Sequence, residues 1–165
     1  KKYLPNQKVW IINLVMRDQG LIVAKTNPKN IQSIQDLKDK GLKFINRQPG
    51  SGTRILFDYK LKSLGLSIHD IQGYENDEYT HMSVAVSVLS GRVDAGLGIH
   101  AAARALDLDF IPIVTEEYDL IIPDRFYKTP KIQTLLKIIQ TEKFKDRIQS
   151  LGGYGTQKTG KIIYS

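Results

Sequence analysis

Asn46-Arg47-Gln48-Pro49-Gly50-Ser51-Gly52-Thr53-Arg54 gathers two glycines, two hydroxyls and two guanidinium groups into nine residues. It follows the apolar run Leu42–Ile45, which reads as a buried strand, and precedes Ile55–Leu64, whose apolar residues have helical spacing. Strand, glycine turn and helix start together make an anion site. The first N–H groups of a helix have no intrahelical acceptor, and the macrodipole places partial positive charge beside them. Gly50 and Gly52 allow a tight turn and a close ligand, while Ser51 and Thr53 add hydroxyl donors. The plainer alternative is a helix N-cap with no ligand. A second stretch of this kind, Asn76–His81, leads into the apolar run Met82–Leu89, with Thr80 or Asp77 placed to cap it. One helix dipole contributes only ~0.3–1 kcal/mol, up to ~2 when partly buried, whereas micromolar affinity needs about 8 kcal/mol. Several donors must therefore converge in a place that excludes water.

Catalytic chemistry has thinner support. His69, His81 and His100 are the only histidines, and no zinc spacing, GxSxG elbow or P-loop lysine signature occurs. A serine hydrolase of Ser51, His81 and Asp94 can be written down, but no spacing supports it. No catalytic residue, metal ligand or cofactor is assigned. With no cysteine, disulfides and thiolate metal sites are excluded and the redox compartment is left open.

The charge balance, 24 Lys and Arg against 17 Asp and Glu, suits an anionic partner. The basic residues are dispersed without a basic-aromatic stripe, so no direct nucleic-acid binding is expected. No apolar run reaches the roughly 18 residues of a membrane span, and Lys1–Pro5 lacks the apolar stretch of a signal peptide.

The elements that must position these residues alternate between strand and helix. Lys8–Met16 and Leu21–Ala24 read as two strands broken by Arg17-Asp18-Gln19-Gly20, and Ile31, Ile34 and Leu37 as a short helix ending at Lys40-Gly41. A connection at Leu66–Tyr74 leads into a short strand, and Arg92–Ile99 is a strand whose glycines suggest close approach of backbone or ligand. An alanine-rich helix, His100–Leu106, precedes strands at Asp109–Ile113 and Tyr118–Pro123. One amphipathic helix is expected over Lys131–Leu151, followed by a loosely held tail after Tyr154. This order predicts an α/β fold with largely parallel strands.

Several stretches together carry a family likeness. They are Gly20–Ala24 with Asn27-Pro28, Ile31 and Ile34–Leu37; Phe44–Arg54; Gly73-Tyr74; Thr80-His81 and its helix; Ser90–Ile99; and Phe110–Pro112 with Glu117–Leu120. Nearly the whole chain resembles the type II periplasmic-binding-protein fold, in the subgroup related to molybdate-binding proteins. Members of that subgroup are often fused to helix-turn-helix or molybdopterin-biosynthesis domains. The resemblance implies two α/β lobes joined by two crossover strands. Residues 26–117 would form the complete second lobe, and 1–25 with 118–165 a partial first lobe whose opening βαβ portion is absent.

It further implies a non-enzymatic binding or sensor domain for a tetrahedral oxyanion such as molybdate or tungstate, gripped by lobe closure. Ser51, Gly52, Thr53, Thr80 and His81 would be donors, Tyr118 at the hinge would add its hydroxyl, and Arg47 and Arg54 would supply field or contact. Ion pairs to Asp58 or Asp94 are the alternative for the arginines, and a core role the alternative for Tyr118. A rival within the same fold is an effector domain for a pterin or amino acid, lined by Tyr74, Tyr79 and Tyr118. A regulator or biosynthetic fusion would be cytoplasmic and a transport protein extracytoplasmic.

Overall fold

The computed structural model describes residues 7–164; Lys1–Pro5 lies outside them. Contacts divide the chain into two compact units, Asp18–Thr115 and Lys1–Arg17 with Glu116–Ser165. Two 15-residue strands, β1 (Val9–Val23) and β5 (Asp109–Pro123), contribute to both units.

Each of these strands replaces two expected ones, for identifiable reasons. The polar residues of the supposed turn are cross-strand partners: Arg17 Nε donates to Glu116 Oε1 at 2.6 Å, and Thr115 Oγ1 donates to Asp18 Oδ1 at 2.6 Å. Gly20 marks close approach, because a Cβ there would lie 2.8 Å from Phe110 Cζ and 2.9 Å from the Ile111 carbonyl carbon. Pro112 is accommodated because β5 is the last strand on its side of the sheet, where an edge strand can forgo one N–H.

In the unit Asp18–Thr115 the remaining elements are α1 (Gln35–Asp39), β2 (Phe44–Arg47), α2 (Gly52–Ser63), a 3-10 turn at Ile68–Asp70 and β3 (Asp77–Glu78). They continue with α3 (His81–Leu89), β4 (Ala95–Ile99) and α4 (His100–Ala105). The expected strand near Tyr74 falls later, at Asp77–Glu78, in the stretch read as a polar cap. β3–β2 and β2–β4 are parallel, while β1 runs antiparallel to β4, so the sheet is mixed.

Side chains alternate between two cores. Leu21, Val23, Phe44 and Leu97 meet Leu37, Phe57 and Leu61 on one face, and Ile22 and Ile45 meet Val84, Val88 and Ala103 on the other. On that second face β4 brings Gly96 and Gly98 against its neighbours, with Ile99 partly buried at its end. A Cβ at Gly96 would lie 2.7 Å from Ile45 Cγ2 and closer still to Val84 Cγ1, and one at Gly98 would lie 2.6 Å from Ile22 Cδ1.

The other unit packs α5 (Asp124–Tyr127), α6 (Pro130–Ile139) and α7 (Glu142–Ser150), with β6 (Tyr154–Gly155) and β7 (Ile162–Tyr164) paired to β1. Its core joins Ile12, Ile122, Leu136 and Ile139, beside a Trp10–Tyr127 stack at 3.8 Å. The single helix expected over Lys131–Leu151 is split at Thr141. That residue's N–H closes α6 on Ile138 O at 3.1 Å, and its Oγ1 caps α7 by accepting from Phe144 N at 3.3 Å. Nor is the tail loose, since Thr156 and Thr159 are buried and Thr159 Oγ1 donates to Leu14 O at 2.8 Å. Among the described residues no helix is long and apolar enough to cross a membrane.

Gly20→Ala and Gly96→Ala are each expected to destabilise the fold by about 1–3 kcal/mol through overpacking. Gly52→Ala, where a Cβ meets nothing within 4 Å, should stay within about 0.5 kcal/mol. Urea denaturation of the three variants provides the comparison.

Candidate functional site

β2, β3 and β4 end at one edge of the unit Asp18–Thr115, and each leads directly into a helix. Asn46 and Arg47 pair in register with Asp77 and Glu78, so β2 and β3 finish at the same level. α2 then starts at Gly52, α3 at His81 and α4 at His100. The carboxyl edge of a parallel sheet is where α/β folds place ligands.

The turn into α2 follows from its sequence. Gln48-Pro49-Gly50-Ser51 closes with Ser51 N donating to Gln48 O at 3.2 Å, and Gly50 takes φ 84°, the left-handed angle that the third position of a type II turn requires. Ser51 is the N-cap, its Oγ accepting from Arg54 N at 3.2 Å. An oxygen used this way still has its hydrogen to donate outward. The N–H groups of Gly52 and Thr53 precede the first intrahelical bond, which Ile55 N makes to Ser51 O at 3.0 Å. The Thr53 side chain itself is buried.

α3 repeats the arrangement. Thr80 Oγ1 accepts from Ser83 N at 2.9 Å and shares a 2.7 Å hydroxyl pair with Ser83 Oγ, and Val84 N closes on Thr80 O at 3.2 Å. His81 opens the helix, with its Nδ1 3.8 Å from where a Gly98 Cβ would lie. None of α2, α3 and α4 has an acidic residue in its first turn, whereas α1, α5 and α7 carry Asp36, Asp124 and Glu142 there. The positive ends of the three edge helices are thus not neutralised by first-turn acids.

Both arginines of the opening loop are buried. Arg47 donates from Nε to Glu78 O at 3.1 Å and to Gln48 Oε1 at 3.2 Å, and from Nη2 to Tyr79 O at 2.9 Å. Arg54 Nη1 donates to Arg47 O at 3.3 Å, its Nε lies 3.5 Å from Asp58 Oδ1, and its guanidinium carbon sits 3.9 Å over the Tyr74 ring. Tyr74 donates in turn to Asp58 Oδ1 at 2.7 Å. Burial, reinforced by that carboxylate, pushes the Tyr74 phenol above its ordinary value near 10.

Ser51, Gly52, Thr53, Arg54, Arg47, Thr80 and His81 therefore share one unit and one sheet edge. Tyr118 belongs to the other unit, where it is half-exposed beneath the Arg17 guanidinium, 4.5 Å from the ring centroid. Gln19, read in the sequence only as part of a turn, also reaches this edge, buried and in register with Ile99. Its place in a polar stretch read as a turn hid it, and no local signal set it apart from Arg17 and Asp18.

The hydrolase arrangement does not assemble. Asp94 precedes β4 at the opposite edge and accepts from Lys43 N at 2.9 Å, so it cannot orient His81. Among the described residues no three His, Asp or Glu side chains cluster as metal ligands. An open depression of about 440 Å³ begins at Thr80 and Ser83 and runs along α3 to Arg92. A larger one, about 670 Å³, lies where β2 and β4 begin, away from the helix starts, and has no bearing on them.

The family model of the PBP superfamily domain matches residues 1–140. The chain belongs to this superfamily. It is 39% identical over 163 residues to the uncharacterized protein YvgK of Bacillus subtilis, covering 99% of this chain and 52% of YvgK, so it spans about half the length of that relative. Among solved structures, the chain resembles a Clostridium perfringens protein described as a phosphate ABC transporter substrate-binding protein and solved with bound phosphate. The TM-score is 0.63 at 14% identity, over 89% of this chain and 71% of that one. The substrate-binding domain assigned to a molybdenum ABC transporter of Clostridium difficile gives 0.59 at 15% identity, over 88% and 66%. These likenesses establish a type II PBP-like α/β fold.

The raised Tyr74 value fixes the sign of an alkaline effect. The folded chain holds this proton more tightly than the unfolded chain, so the contribution is complete below pH 10 and is lost as pH rises through the folded value. Phenolate absorbance titration should show one tyrosine ionising late, and Tyr74→Phe should remove that late component.

Proposed function

We propose that this PBP-like domain binds a small tetrahedral oxyanion, with molybdate and tungstate the leading candidates. The observation that carries the proposal is the pairing of two hydroxyl-capped helix starts, α2 and α3, at one sheet edge. No first-turn acid opposes an anion at either. In this reading the N–H groups of Gly52, Thr53 and Met82 and the hydroxyls of Ser51 and Thr80 donate to the anion, and His81 adds a ring donor. Arg47 and Arg54 lie buried behind these donors, with their guanidiniums hydrogen-bonded to backbone carbonyls.

A set dominated by donors favours an anion without protons of its own. Phosphate, which carries a proton near neutral pH, brings an O–H into a group of N–H and O–H donors and is expected to bind more weakly than the fully deprotonated anions. The aromatic reading for a pterin or amino acid is less well supported. Tyr74 is committed to Arg54, Asp58 and a stack on Phe57 at 6.3 Å, which leaves Tyr79 as the exposed ring beside α3.

Isothermal titration of the full-length protein with molybdate, tungstate, sulfate and phosphate tests the proposal. Binding of molybdate or tungstate at micromolar level or tighter is expected. Ser51→Ala and Thr80→Ala should each weaken it about tenfold, the loss of one hydrogen bond to a charged group. Absence of heat and of thermal shift with all four anions would sink the oxyanion reading, and heat from a pterin or amino acid instead would transfer it to the organic class.

A further inference from the structure

We propose that Arg47 and Arg54 act as positioning residues, a two-guanidinium strut that sets the separation of the α2 and α3 starts without touching the bound anion. The inference rests on the oxyanion reading and refines it.

The connections form an unbroken path. Arg54 belongs to the first turn of α2 and reaches back to the carbonyl of Arg47, the last residue of β2. Arg47 spans to the neighbouring strand, donating to the carbonyls of Glu78, which ends β3, and Tyr79, which precedes the α3 cap. Thr80 then caps α3. The helix starts are thus tied through side chains as well as through the sheet.

Both guanidiniums are buried, at 8% and 7% exposure, and their recorded donors point at backbone carbonyls, Gln48 and Asp58. Asp58 and the Tyr74 face hold Arg54 from the far side. A planar fork is needed to serve two successive carbonyls at once. A lysine in place of Arg47 would keep the charge and lose the fork.

That difference supplies the test. Arg47→Lys, Arg47→Gln and Arg54→Lys are compared with the wild type in two measurements. The first is molybdate affinity across a range of ionic strength, and the second is amide hydrogen exchange at Met82, Ser83 and Val84 without ligand. A strut predicts that Arg47→Lys and Arg47→Gln lose affinity by a similar factor, about tenfold or more, with the salt dependence of wild type. It also predicts faster exchange at the α3 start, with the amides of β2 and β4 unchanged.

The proposal is overturned if Arg47→Lys binds within about twofold of wild type while Arg47→Gln does not, or if Arg47→Gln flattens the salt dependence. Either result makes Arg47 a charge acting on the anion. Should wild type bind none of the anions, the oxyanion reading fails by itself, and the exchange data judge the strut: unchanged exchange at Met82–Val84 refutes it. If Arg47→Gln does not fold, the two lysine variants carry the same comparison.

Discussion

Helix α3 sits directly on β4, and the seating depends on two positions without side chains. Gly96 and Gly98 point toward α3, and the space a Cβ would need is already filled by Val84, Ile45 and Ile22. Close-packed interiors do not yield by a methyl group without strain. The glycines therefore set how deeply α3 lies, and through it where His81 and Thr80 stand above the strand ends. On the opposite face α2 is fixed by aromatic packing instead, with Phe57 stacked on Phe44 at 4.6 Å. The two helix starts are held from opposite faces of the same strands.

Electrostatics follows from that seating. Burying a guanidinium is costly unless its donors are used, and in this unit they are used mostly on carbonyls and on one aromatic face. The charge of Arg54 is partly balanced by Asp58, which is itself half-exposed. Helices α1, α5 and α7 carry a first-turn acid that offsets the dipole, whereas at this edge α2 and α3 carry a serine and a threonine cap with no such acid. The caps satisfy one amide each and leave the first N–H groups facing outward.

Much of this was legible where local chemistry is decisive. The glycine turn before α2, the Thr80 cap and the apolar runs of α2 and α3 are encoded within a few residues, and the sequence reading placed them nearly as found. The β4 glycines were legible as close approach, although what approaches is α3. The failures share a cause. Arg17–Gly20 looks like a turn until Glu116 and Thr115, about a hundred residues away, are seen as partners. The Thr141 break was masked by an apolar period that continues through it. The buried tail threonines depend on the carbonyl of Leu14 and on Gln149, which no local pattern reveals.

Backbone donors at helix starts are common to many α/β proteins and are nearly indifferent to which anion they meet, so fold and family do not choose a ligand. Discrimination has to arise from distance and from the few side chains at the rim. An oxyanion that fits two helix starts at one separation leaves donors unpaired at another, and each unpaired donor in a water-poor site costs as much as a contact gains. On the oxyanion reading proposed above, that separation is set by residues other than the donors: two glycines beneath α3 and two arginines between the strand ends. On that same reading, a change at any of these four alters selectivity while leaving Ser51, Gly52 and Thr80 intact, and a comparison restricted to the donors misses it.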